Sequence, residues 1–114
     1  MKSIKYNKLI RDRIPEIIKN DGKKCIYEVM DEALYGKMLA LKLNEEIAEF
    51  EAEFESGNKD DAIKELTDIQ EIIFALLNYY DVDKEQFDAL RKKKADKNGA
   101  FNNKYLLKEV IEND

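Results

Sequence analysis

The stretch Glu65-Leu66-Thr67-Asp68-Ile69-Gln70-Glu71-Ile72-Ile73-Phe74-Ala75-Leu76-Leu77 decides the fold. Its apolar residues recur at helical spacing, but they do so on almost every side of the helix. At about 100° per residue, Glu65 and Asp68 share an arc with Ile69, Ile72 and Leu76, while Ile63, Gln70 and Phe74 fall on the opposite arc. A helix that is apolar nearly all round has to be covered on all sides. Two carboxylates kept among Ile and Leu need a compensating cation, because an ionised acid in such surroundings is costly.

Outward from this segment, Asn58 is suited to cap the helix, with Asp60 and Asp61 in its first turn, where negative charge favours the dipole, and apolar residues continue to about Tyr80. Upstream, Asp31 can cap a long helix running to about Ser56. There Leu39, Leu43, Ile47, Phe50 and Phe54 repeat at three and four residues, and Gly57 supplies a stop. Downstream, Asp83 followed by Gln86 reads as a capping box, opening a helix through Leu90 that ends near Asn98-Gly99. Pro15 fits a first helical position and Asp21-Gly22 a stop, so the N-terminal region holds a short helix. Residues 24–30 are ambiguous: Cys25, Tyr27 and Val29 alternate as an extended piece would, yet a lone strand lacks a pairing partner. Tyr105, Leu106, Leu107, Val110 and Ile111 are expected to pack back as a short terminal segment. The expected architecture is an all-α, antiparallel helical bundle completed by oligomerisation.

With 114 residues, one Pro, four Gly and no low-complexity linker, the chain reads as a single domain over 1–114. A net charge of −5 disfavours binding to a nucleic acid polymer. One cysteine, Cys25, excludes an intramolecular disulfide, and the absence of His leaves any metal to oxygen ligands. Cys25 is expected to be a reduced, partly buried thiol, not a nucleophile. The charged N-terminus and the lack of a long apolar run give a cytoplasmic expectation, with no membrane partner.

The chemistry sits in two acid pairs. Glu46 and Glu49 lie three apart on the first long helix, beside Glu45, and Glu65 and Asp68 lie three apart on the second. Such spacing puts both side chains of a pair on one face, so two antiparallel helices can bring four carboxylates around one point. Their mutual repulsion calls for a hard cation, Mg²⁺ or Mn²⁺, whose shell water and phosphate oxygens can complete. On the first helix alone, a solvated face with Lys42 and Glu46 as an i, i+4 pair explains the same acids. Lys8, Arg11 and Arg13 could neutralise a polyphosphate or belong to a solvated arm. Lys94, in the run Arg91-Lys92-Lys93-Lys94, could meet phosphate or simply complement a helix C-terminus. Tyr79 and Tyr80 fit core positions better than a base-stacking platform.

Together these segments resemble the MazG-like all-α nucleotide pyrophosphohydrolases, in the subgroup similar to phosphoribosyl-ATP pyrophosphohydrolase. The family pattern EExxE, a gap and ExxD stands here as Glu45-Glu46-Ile47-Ala48-Glu49, residues 50–64, and Glu65-Leu66-Thr67-Asp68. The opening Tyr6-Asn7-Lys8-Leu9-Ile10-Arg11-Asp12-Arg13-Ile14-Pro15-Glu16-Ile17-Ile18 is similar to the start of that subgroup. Lys94 with Asn98-Gly99-Ala100-Phe101 resembles a later segment, although Asn98 and Ala100 stand where Arg and Gly are common.

The resemblance spans roughly residues 6–107. It implies a metal held by Glu46, Glu49, Glu65 and Asp68, catalytic acids Glu45 and Glu46, and substrate contacts from Lys8, Arg11 and Lys94. It further implies a homodimer or higher homo-oligomer that hydrolyses a nucleotide between its α- and β-phosphates. Phosphoribosyl-ATP hydrolysis and a non-catalytic nucleotide-sensing module are the alternatives.

Overall fold

The computed structural model describes residues 2–113, whose regular structure is helical, with no strand among them. Four helices follow in order: α1 (Ile14–Asn20), α2 (Glu32–Ser56), α3 (Lys59–Tyr79) and α4 (Lys84–Asn98). The described chain forms two compact units, residues 2–81 with α1 to α3 and residues 82–113 with α4. None of the helices is long and apolar enough to cross a membrane.

Local signals set the helix ends. The Asp31 carboxylate accepts from the Leu34 N–H at 2.8 Å and so satisfies one of the free donors that open α2. That helix stops at Gly57, whose φ of 75° lies in the left-handed region where a side chain would be strained. Asn58 does occupy the capping position of α3, but its side chain does not cap it. The Asn58 amide instead donates to the Glu53 carboxylate at 3.1 Å, an acid near the end of α2 where the dipole leaves it poorly placed. For α4 the expected capping box is complete: the Gln86 N–H donates to Asp83 at 2.7 Å and the Asp83 N–H donates to the Gln86 side chain at 3.0 Å.

Within the first unit, α2 packs along α3. Tyr35, at the start of α2, meets Tyr79, at the end of α3, edge to face with centroids 6.3 Å apart, while Glu46 in mid-helix lies beside Glu65 and Asp68. Early residues of one helix thus face late residues of the other, and the pair is an antiparallel hairpin closed by the short Gly57-Asn58 turn. Gly36 permits this approach, since a Cβ there would lie 2.5 Å from the Tyr79 ring. Leu39 on α2 and Ile72 and Leu77 on α3 are the buried apolar side chains of the hairpin, with Leu39 only 2% exposed.

Much apolar surface stays open. Ile63 and Leu66 on the outer side of α3 are 48% and 47% exposed, so the chain by itself does not give α3 the all-round cover its sequence demands. Residues 23–31 adopt no regular structure, which settles the ambiguous segment as coil, and Cys25 is half-buried. The C-terminal segment departs from expectation. Tyr105, Leu106, Leu107, Val110 and Ile111 do not pack back but are exposed, in a stretch too short and too often interrupted by charge to form its own apolar face.

Candidate metal centre

The centre is built where the two acid pairs meet across the hairpin. Helical spacing places Glu46 and Glu49 on adjacent turns of α2 and Glu65 and Asp68 on adjacent turns of α3. Antiparallel packing brings them together. One oxygen each of Glu46, Glu65 and Asp68 lies within 4.8 Å of the others, and the same holds for Glu45, Glu46 and Glu49. Glu46 belongs to both groups, so it joins the two helices' acids into one cluster.

Glu46 is also far more deeply placed than a solvated stripe would allow. It is 6% exposed, the one buried charged residue among those described. The expected i, i+4 pair with Lys42 is present, Nζ to Oε1 at 3.5 Å, and the same ammonium is 3.6 Å from Glu45. One ammonium cannot offset the cluster. Oε2 of Glu46 and Oε2 of Glu65 are buried with no hydrogen-bond partner, an arrangement that costs roughly 1–3 kcal/mol per group, and more for a charged one. A hard divalent cation fits these atoms by chemistry, since every donor is a carboxylate oxygen.

Such crowding pushes the acids' proton affinities apart. Glu65 is pushed up from the usual 4.5 to about 7, first by the adjoining Glu46 carboxyl, then by burial and by the negative charges of Glu46 and Glu49. Burial, then hydrogen bonding and repulsion from Glu46, likewise raises Glu49. Burial pushes Glu46 up as well, but the neighbouring Glu65 and Glu49 carboxyls together with Lys42 outweigh it and hold this carboxyl below its usual value. The charge therefore favours Glu46 and the proton Glu65.

This distribution has a consequence for stability. The folded chain binds the Glu65 proton more tightly than the unfolded chain does, so this group's contribution is fully present below about pH 4.5 and is lost as pH rises through about 7. Glu49 acts in the same direction, and Glu46 in the opposite one. Protein kept in chelator is expected to melt at a lower temperature near pH 8 than near pH 5. Added Mg²⁺ should remove most of the difference, and Glu65→Gln should flatten the profile. A melting temperature that rises steadily with pH in chelator would refute the shared-proton arrangement.

The basic residues fall into three positions. Arg11, from the arm before α1, reaches α3: its Nη2 donates to Asp68 Oδ1 at 2.6 Å. Lys8 stands over the Tyr6 ring, 5.5 Å from its centre, and Arg13 pairs with Glu16 at 3.5 Å, so neither reaches the acids. Lys94 is exposed on α4 in the second unit, whereas the centre is built entirely from the first. Tyr79 is half-buried against Tyr35 and Tyr80, while Tyr80 is exposed. The Arg11 contact was not legible in the sequence, because a pairing across 57 positions leaves no periodic trace.

Compared with protein-family models, with curated proteins and with solved structures, the chain finds no match in any of the three.

Proposed function

We propose that the chain is a Mg²⁺-dependent nucleotide pyrophosphohydrolase, of the MazG-like all-α kind that its motifs resemble, cleaving a nucleoside triphosphate or related nucleotide to a monophosphate and pyrophosphate. The observation that carries this reading is the convergence of both acid pairs on one cluster in which Glu46 is buried and two carboxylate oxygens lack partners. Solubilising acids would point into water instead.

Glu46, Glu49, Glu65 and Asp68 would hold Mg²⁺, with Mn²⁺ as a substitute. When bound, the ion supplies charge withdrawal from phosphate oxygens and a more acidic water. Glu45, exposed at the edge of the cluster as Glu49 is, would accept a proton from a water there. Lys42 restrains Glu45 and Glu46 together and keeps the α2 acids in register. Arg11, and Lys8 on the same arm, are the groups for the polyphosphate. The test is a panel of canonical and modified nucleotides incubated with Mg²⁺, scored by released pyrophosphate and monophosphate. Release of orthophosphate alone, or no turnover of any nucleotide, would overturn the reading.

The active unit in this proposal is a homodimer or higher homo-oligomer, with the open faces of the hairpin covered by another copy. Ile63 and Leu66, half exposed on a helix that is apolar nearly all round, support it. Sedimentation equilibrium at micromolar concentration should give at least twice the 13.4 kDa chain mass. A fully active monomer would refute the assembly while leaving the acid cluster's chemistry intact.

A further inference from the structure

Arg11 is a cation from outside α2 that the structure seats on the acid cluster. Its guanidinium meets Asp68 at 2.6 Å, and Asp68 belongs to the same three-oxygen group as Glu46 and Glu65. The two side chains are 59% and 38% exposed, so the pair stands at the mouth of the cluster and can open without disturbing the hairpin core. The arm that carries Arg11 is free of regular structure over residues 2–10 and enters α1 through a turn, with the Ile14 N–H donating to the Arg11 carbonyl at 3.1 Å. A guanidinium on Asp68 and a divalent cation within the same oxygens would place two like charges a few ångström apart, and the Asp68 oxygen cannot serve both fully.

We propose that Arg11 is a built-in counter-ion for the cluster, competing with the divalent cation for Asp68, so that metal binding expels the guanidinium and frees it for the anionic nucleotide. Binding of the ion and exposure of the phosphate-binding arginine are then one event, and the arm is presented to substrate only once the site is charged. This rests on the metal-centre reading given under Proposed function and adds to it an order of events.

The test is calorimetric titration of full-length protein with Mn²⁺ and with Mg²⁺, without nucleotide, for wild type, Arg11→Gln and Arg11→Lys. Removing the competitor in Arg11→Gln should tighten metal binding about 3- to 10-fold, the range expected for a half-exposed ion pair plus relief of its charge. The gain should shrink in high salt, which screens that charge. Arg11→Lys, which keeps the cation, should stay near wild type. A second measurement is limited trypsin digestion of wild type: metal should speed cleavage after Arg11 relative to cleavage after Lys8, because an arginine held on Asp68 cannot enter the protease pocket. Weaker or unchanged metal affinity in Arg11→Gln, with clear binding by wild type, would overturn the competition and leave the metal centre standing. Absence of metal binding by wild type and variant alike would overturn the metal centre itself, and the competition with it.

Discussion

Glu49→Gln or Asp68→Asn should abolish pyrophosphate release, by at least about 100-fold, while the helices stay folded. Each substitution removes one anionic oxygen from a cluster that, in the proposed function, holds a cation against phosphate, and a metal's charge stabilisation is worth several kcal/mol, with each 1.4 kcal/mol counting for about tenfold in rate. The stability side has the opposite sign from that of an ordinary damaging mutation. Glu49 is raised by burial and by its contact with Glu46, so its charge at neutral pH opposes folding and its removal relieves the cluster. Asp68→Asn gives up the Arg11 pair, but that pair is half exposed and worth no more than about 1 kcal/mol. In chelator, both variants should therefore melt close to wild type, with Glu49→Gln at or above it. Circular dichroism melts alongside the nucleotide assay decide this. A variant that loses activity because it unfolds would make these acids structural and would remove the site assignment.

Leu39→Ala is expected to have the largest effect on the fold. Leu39 is 2% exposed and sits in the hairpin with Ile72 and Leu77, the apolar side chains buried within the chain. Truncating a buried leucine typically costs about 2–5 kcal/mol through lost transfer energy and the cavity left behind. A domain of this size has only roughly 5–15 kcal/mol in total, so the loss is a large share of it. Urea unfolding should show a lower midpoint with an unchanged slope. A cost below about 1 kcal/mol would mean that α2 does not pack on α3 through Leu39, and the convergence of the acids would lose its support.

The sequence by itself determined the local events. The Asp31 cap, the Asp83 and Gln86 capping box, the Gly57 stop and the length of both long helices depend on residues three or four positions apart, and such interactions are written in spacing. The pairing of two acids on each helix was legible for the same reason, as was the oddity of Glu65 and Asp68 on an apolar arc.

The non-local facts came from packing. The depth of Glu46 could not be read from α2, where Lys42, Glu46, Glu49 and Glu53 form an unremarkable charged stripe; it follows from α3 lying over that stripe. Asn58 turning to Glu53 instead of capping α3 reflects competition between two helix ends joined by a two-residue turn. The exposed C-terminal segment shows that apolar composition alone does not supply a surface to bury against. Arg11 on Asp68 is the furthest case. Sequence can say that an arginine and an aspartate exist, but which carboxylate an irregular arm meets depends on where the folded hairpin places that carboxylate, and charge attraction carries no register of its own.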